Sequence, residues 1–497
     1  MNSNLSTLLD EVRETGTLSG LPRDHFIDGA FQPNSTDDTL ESFDPGTGKV
    51  FTRFAAGGAR EIDEAVSAAN RSLRGEWGEA TPAQRGQVLA AIAQQVRQNA
   101  DRLALVESLD SGKRLVEAQG DVRGVIRTFE YYAGAADKLQ GDSFPLGAAY
   151  VGFTVEEPVG VAAQIIPWNY PVSTAARGIA PALAAGCAVV AKPAEQTPLS
   201  ALMLAELARK AGLPDGVLNV VTGTGASAGS ALVAHPDIHH ITFTGSVVTG
   251  QRVMRSAADN VTRVLLELGG KSPLVVLADC DIEQALDGVM GAIYENAGQI
   301  CSAGSRLIIE RGLHQTFIER LLQRIDRLTL GRGLDNPDIG PVNSLAHLHR
   351  IHQHVASAAA RGNTIHAGGE IAEPMGAPGG WFYRPTVIEA RSLNEPIVQD
   401  EVFGPVLVVQ QADDLDEAIA LANGTDYALV AGIYTKDITK AYRFARQVDA
   451  GQVYINEYFA GGIEVPFGGN RKSGFGREKG MEGIRSYCKL KSIVARV

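Results

Sequence analysis

From residue 157 to residue 258 the chain repeats one pattern: a short apolar run, a turn marked by glycine or proline, then a longer alanine-rich stretch. The runs 159–166, 188–192, 217–221 and 238–244 read as strands, and 169–185, 198–211, 227–234 and 246–258 as the helices that follow them. Strands apolar on both faces must be covered on both faces, so the alternation predicts a parallel sheet flanked by helices. Ligands bind such sheets beyond the carboxyl ends of their strands. A second α/β series runs from 271 to 465, with strands at 273–278, 306–309 and 406–410 and helices at 315–328 and 414–422. Two such domains would leave a cleft between them.

Outside these series, the first 60 or so residues read as short strands and turns, and helices are expected at 59–75, 81–99 and 120–139. The closing stretch 487–497 reads as a terminal strand in need of a partner edge, which another subunit could supply. A chain of 497 residues exceeds one small core, so roughly two to four domains are expected.

A net charge of −12 without a basic concentration argues against a nucleic-acid partner. The apolar stretch 178–190 is interrupted by Pro181 and too short for a membrane span. Cys187, Cys280, Cys301 and Cys488 lie far apart, without CxxC spacing or clustered histidines, so no metal site is expected. The polar start Met1-Asn-Ser-Asn-Leu shows no signal peptide, and reduced thiols in a cytoplasm are expected.

Cys301 sits among glycine, glutamine, serine and alanine rather than apolar neighbours, either as an inert thiol in a turn or as a reactive one. Glu267 lies in the apolar run Leu265-Leu-Glu-Leu, where burial would raise its pKa and make it a base near neutrality; a structural ion pair is the alternative. Asn169, in Pro167-Trp-Asn-Tyr-Pro, could cap the next helix or donate to an oxyanion. Two glycine-bearing turns end strands: Gly225 and Gly229 belong to one, and Phe243-Thr-Gly245-Ser246 opens a helix that suits a pyrophosphate. Either could equally be a tight turn that needs glycine. Lys192 and Glu195 would stand at the same sheet edge, and a carboxylate there favours NAD over NADP.

Taken in order, Pro167-Trp-Asn-Tyr-Pro, Lys192-Pro-Ala-Glu, Phe243-Thr-Gly-Ser, Leu266-Glu-Leu-Gly-Gly-Lys, Gly298-Gln-Ile-Cys, Glu401-Val-Phe-Gly-Pro and Pro466-Phe-Gly-Gly resemble the NAD(P)-dependent aldehyde dehydrogenase superfamily, hydrolytic type, over the whole length. The resemblance implies an α/β fold with a Rossmann-type NAD-binding domain (1–135 and 158–268), an α/β catalytic domain (269–478) and a small β oligomerisation arm (136–157 and 479–497). It implies Cys301 as nucleophile, Glu267 as base, and Asn169 with the Cys301 N–H as oxyanion donors. It implies NAD held by Lys192, Glu195, Gly225, Gly229, Gly245, Ser246, Glu401 and Phe403, on a surface extended by Ile166, Pro167, Trp168, Phe243 and Leu268. A homodimer or homotetramer acting on a small aldehyde is the corresponding partner expectation.

Some positions depart from that pattern. Gly178 stands where relatives often carry a proton-relaying lysine, leaving Glu478 for that path, and His347 stands where a cofactor-contacting glutamine is frequent. Tyr170, Ser173, Thr174 and Arg177 share a helix face, Glu295 replaces a frequent aromatic, and Glu457 and Tyr458 face them, with Phe467 beyond. A polar tunnel is expected. Its tail partner would be an amino-aldehyde held by Glu295, Glu457 and Tyr170, or a semialdehyde acid held by Arg177, unless Arg177 and Glu295 pair with each other. Release of the thioester to coenzyme A and a non-catalytic NAD-binding protein of this fold are the rival readings.

Overall fold

The computed structural model describes residues 3–497. Its first sheet has eight strands, in spatial order Ala30–Gln32, His25–Ile27, Leu218–Val220, Ala188–Pro193, Val161–Ile166, His240–Thr244, Arg263–Glu267 and Gly474–Phe475. The five central strands are parallel. Chain order runs outward from Val161–Ile166 in one direction and resumes with His240–Thr244 in the other, so the strand order reverses between these two. A crevice opens at that reversal because the flanking helices diverge to opposite faces.

Pro171–Ala185 follows the central strand, with proline at its first position and Gly186 closing it at φ 101°. Almost all of its side chains are buried, and alanine and glycine let the surrounding helices approach closely. Only a few of its residues can therefore present polar groups to a cavity.

The second sheet orders seven strands as Thr364–Ala367, Thr386–Glu389, Val406–Ala412, Arg306–Glu310, Pro273–Val276, Val430–Tyr434 and Gln452–Ile455. All its pairings are parallel except that of the edge strand Thr364–Ala367. Buried Arg306 donates to the carbonyls of Lys271, Leu421 and Ala422 at 2.7–2.8 Å, so it also neutralises the negative end of Leu415–Ala422.

Cys488–Arg496 pairs antiparallel with Tyr150–Pro158, which in turn pairs with Ser143–Phe144. This small sheet exposes Tyr150, Val151, Phe153, Leu490, Ile493 and Val494.

The sequence reading needs correction at four places. Ser3–Thr15 is a helix, not strands and turns, because Leu5, Leu9 and Val12 fall on one buried face against Ala100–Ser111. Ala100–Ser111 itself had no signal, since it is buried nearly all round and so lacks an amphipathic stripe. The helix expected at 120–139 is Leu115–Ala135, started earlier by a Glu117 that accepts from the Arg114 N–H at 3.0 Å. Gly225–Gly229 forms a π-helical turn before Ser230–Ala234 rather than part of one continuous helix.

Candidate active site

Cys301 follows the 3₁₀ turn Glu295–Gly298, where Asn296, Ala297 and Gly298 have φ of 47°, 53° and 72°. Left-handed backbone at two non-glycine residues costs about 1 kcal/mol or more each, so neighbours must hold it. They do. Glu117 accepts from the Asn296 N–H at 3.0 Å, Asn296 Nδ2 donates to the Asn169 carbonyl at 3.1 Å, and Gln299 Oε1 accepts from the Asn343 N–H at 2.9 Å. Asn169 Nδ2 donates to the Gln299 carbonyl at 2.9 Å, which fixes its amide beside the cysteine loop. The helix cap is Tyr170, so Asn169 does not serve as one. The Cys301 N–H has no acceptor among the described residues, and the second amide hydrogen of Asn169 is likewise uncommitted.

Burial pushes the Cys301 thiol up to about 11, against the pull of Arg177 and with Glu267 and Glu401 adding to the rise. Glu267 ends the strand Arg263–Glu267, and its carboxyl is held well above the ordinary range by burial first and by Glu478 second. Neither Glu267 oxygen has a hydrogen-bond partner among the described residues. A buried carboxyl without partners is costly in its charged form, so Glu267 holds its proton more tightly than an ordinary carboxyl.

Asn169 and Cys301 open onto a cavity of about 350 Å³. Tyr170, Ser173, Thr174, Arg177, Glu295 and Phe467 line it, as do Asp121, Arg127 and Lys479, which the sequence reading did not single out. Glu457 is a correction: it lies outside this lining, and its carboxylate accepts from the Ala460 N–H at 2.9 and 3.1 Å. Tyr170 keeps its place in the lining, with the Lys113 ammonium 4.0 Å from its ring centre. Lys113 in turn is held by Asp121 at 2.5 Å and Glu107 at 3.7 Å. Arg177 pairs with Glu478 at 2.5 Å and not with Glu295. At Gly178 a β-carbon would lie 2.1 Å from Gln164 Nε2, so Gln164 fills the place of a side chain there and donates to the Thr174 carbonyl at 2.7 Å. Tyr458 donates to the Ser302 carbonyl at 2.8 Å and braces the residue after the cysteine.

On the sheet side, Lys192 is buried with its ammonium 3.2 Å from the half-exposed Glu195 carboxylate. Gly245 bonds the Glu267 carbonyl at 3.0 Å, and Ser246 caps Val247–Asp259 by accepting from the Thr249 N–H at 3.3 Å. Nothing would meet a β-carbon at Gly225, which leaves the turn backbone open; Gly229 packs by Lys192, Phe243 beneath Gly245, and Leu268 beneath Gly250. Ile166, at the end of the central strand, is buried, while Pro167 and Trp168 are partly exposed after it. Trp168 meets Phe403 edge-on at 5.3 Å and His347 at 5.3 Å. His347 is hydrogen-bonded to the Phe403 carbonyl at 2.6 Å, which secures Phe403 at φ 59°; burial lowers the imidazole to about 4 and keeps it neutral. Glu401 accepts from the Gly270 N–H at 2.9 Å, and burial raises its carboxyl to about 7. A β-carbon at Gly269 would lie 2.1 Å from Glu401 Oε2, so a larger residue there would displace the Glu401 carboxylate from the Gly270 N–H. An open glycine turn, a helix N-terminus and a lysine–glutamate pair at one crevice suit a dinucleotide.

The sequence matches the model of the aldehyde dehydrogenase family over residues 31–493. It is 39% identical over 472 residues to a betaine aldehyde dehydrogenase of Bacillus subtilis, covering 94% of this chain and 96% of that protein. It is also 39% identical to a hydroxyisobutyraldehyde dehydrogenase of Mycolicibacterium austroafricanum, covering 97% and 95%. Among solved structures, betaine aldehyde dehydrogenase of Staphylococcus aureus in complex with NAD⁺ superposes with a TM-score of 0.95 at 36% identity, covering 99% of this chain and 97% of that one.

Proposed function

This chain belongs to the aldehyde dehydrogenase family, and from that premise we propose that it oxidises polar aldehydes to carboxylic acids with NAD through a covalent bond to Cys301. The observation that carries the reading is the pairing of a cavity-facing thiol with two uncommitted N–H donors, on Asn169 and Cys301 itself, beside an unpartnered Glu267.

Cys301 must lose its proton before it attacks, because its resting thiol titrates near 11. The Arg177 charge and the Ser302 N–H favour the thiolate, and the raised Glu267 carboxyl is a suitable acceptor for the proton. Attack on an aldehyde carbon places its oxygen as an anion, which Asn169 Nδ2 and the Cys301 N–H can stabilise. One such donor is worth about 3–4 kcal/mol of barrier. When bound at the crevice, NAD supplies the hydride acceptor. The residues present fit it: Gly225 and Gly245 with Ser246 would take the pyrophosphate, Lys192 and Glu195 the adenosine ribose, and Glu401 with Phe403 the nicotinamide end. Once it has passed that first proton on to solvent, Glu267 takes a proton from the water that attacks the acyl carbon; the carbon–sulfur bond to Cys301 breaks, releasing the acid and leaving the thiolate. The presence of Glu267 supports water over coenzyme A as the acceptor.

The apolar residues on the sheet formed by Cys488–Arg496 support a homodimer or homotetramer assembled through that arm. Among the described residues no helix is long and apolar enough to cross a membrane. The proposal is tested by following NADH absorbance over an aldehyde panel with wild type and Cys301→Ser, with and without coenzyme A. Turnover by Cys301→Ser at the wild-type rate would refute it.

A further inference from the structure

The charges along the aldehyde cavity are mostly spent on each other. Arg177 is paired with Glu478 and Arg127 with Glu464, while Asp121 is neutralised by Lys113. Lys479 differs. It lines the cavity, yet no carboxylate lies within 4.0 Å of its ammonium among the described residues. Its Nζ lies 5.2 Å from the ring centre of Phe467, a ring also approached by Arg177 at 5.5 Å. The residue is held at φ 62° ahead of the helix Gly480–Ser486, a conformation that side chains with a β-carbon rarely adopt.

Burial and Arg177 lower the amine to about 8, while Glu478, Cys301 and Glu267 oppose them. At neutral pH it therefore still carries most of a positive charge that the protein leaves without a close counter-ion. The other unspent charge, Glu295, is held above its ordinary range by burial and by Glu117 and Asp121, with Arg114 and Lys113 opposing. Among the described residues, the cavity lining thus holds one cation without a close counter-ion, Lys479, and a carboxyl, Glu295, whose proton is held more tightly than usual.

We propose that Lys479 is the tail-binding residue of this cavity and selects aldehydes that carry a carboxylate at their far end. This rests on the reading that Cys301 holds the aldehyde in the same cavity. An anionic tail would replace the missing counter-ion, whereas an ammonium tail would be repelled by Lys479 and, at the Tyr170 ring, by the Lys113 ammonium 4.0 Å from its centre. Recognition by a single cation accounts for specificity without requiring Arg177 to leave Glu478.

The test compares succinic semialdehyde, hexanal and 3-aminopropanal as substrates of wild type, Lys479→Met and Lys479→Arg, read as kcat/KM from NADH formation. Wild type should favour succinic semialdehyde, and Lys479→Met should lower the ratio of its kcat/KM to that of hexanal about tenfold or more, mainly through KM. Lys479→Arg should restore most of the ratio. A change in ratio below twofold in Lys479→Met, an equal loss on all three substrates, or a wild-type preference for 3-aminopropanal would overturn the assignment. A second readout needs no turnover: alkylation of Cys301 by iodoacetate relative to iodoacetamide, followed by mass spectrometry, should fall in Lys479→Met, and an unchanged ratio would overturn it. If Lys479→Met does not fold, Lys479→Gln carries both comparisons. Failure of wild type to oxidise any aldehyde would refute the functional reading instead, while the alkylation ratio would still decide the role of Lys479.

Discussion

Gly270 is the position where one methyl group tests how closely the nucleophile is held. It is not among the positive-φ glycines, so alanine is conformationally acceptable and only space is at stake. A β-carbon there would lie 2.4 Å from the Cys301 carbonyl oxygen and 3.4 Å from Leu429 Cβ. Real β-carbons keep at least 3.0 Å, so the cysteine loop would have to retreat by about 0.6 Å, which overpacking resists. Misplacement of a reacting group by about 1 Å costs on the order of 10²-fold, so a shift of about 0.6 Å should lower kcat/KM for any accepted aldehyde by about 10- to 30-fold. Stability should fall by about 1–3 kcal/mol, seen as a lower denaturant midpoint. The control is Gly291→Ala on the helix Ile282–Tyr294, where nothing lies within 4 Å of the added carbon; it should be neutral in activity and stabilise by up to about 1 kcal/mol. Steady-state NADH kinetics and urea melts of both variants decide the matter. If Gly270→Ala stays within threefold of wild type, close packing on Cys301 does not set the position of its sulfur.

Asn169→Ala should lower kcat on the order of 10²- to 10³-fold with little change in NAD affinity, measured by steady-state kinetics and nucleotide titration. Because Glu267 titrates well above ordinary carboxyls, activity that depends on its basic form should be lost as pH falls through that raised value, and Glu267→Gln should abolish this limb of the rate profile. In Glu267→Gln the acyl adduct should persist on Cys301, visible as an added mass after substrate and NAD are mixed with the enzyme. Asp110 is raised to about 8 by burial, while Ser42 and the Leu199 N–H oppose the shift. The folded state thus holds this proton more tightly than the unfolded chain, so its contribution to stability is complete below about pH 4 and is lost as pH rises toward 8. Asp110→Asn should accordingly gain steadily on wild type in thermal melts as pH is raised from 4 to 9, and a difference that does not change with pH would refute the assignment.

The sequence alone determined the parallel first sheet, because the short runs ending at Ile166, Lys192 and Thr244 alternate with alanine-rich helices, an order that a parallel, helix-covered sheet accommodates. It also exposed Cys301, since a thiol among small polar residues violates the usual preference of cysteine for apolar surroundings. Local rules were weaker for Ala100–Ser111, which is buried all round and carries no periodic stripe. They were weakest for the charges. Whether Arg177 meets Glu478 or Glu295, whether Glu457 reaches the cavity or caps its own turn, and whether Lys479 finds a counter-ion are contests between partners far apart in the chain. Only tertiary packing decides them. A carboxylate's partner depends on distances of a few ångströms set by several elements at once, whereas a strand's burial is written in its own consecutive residues.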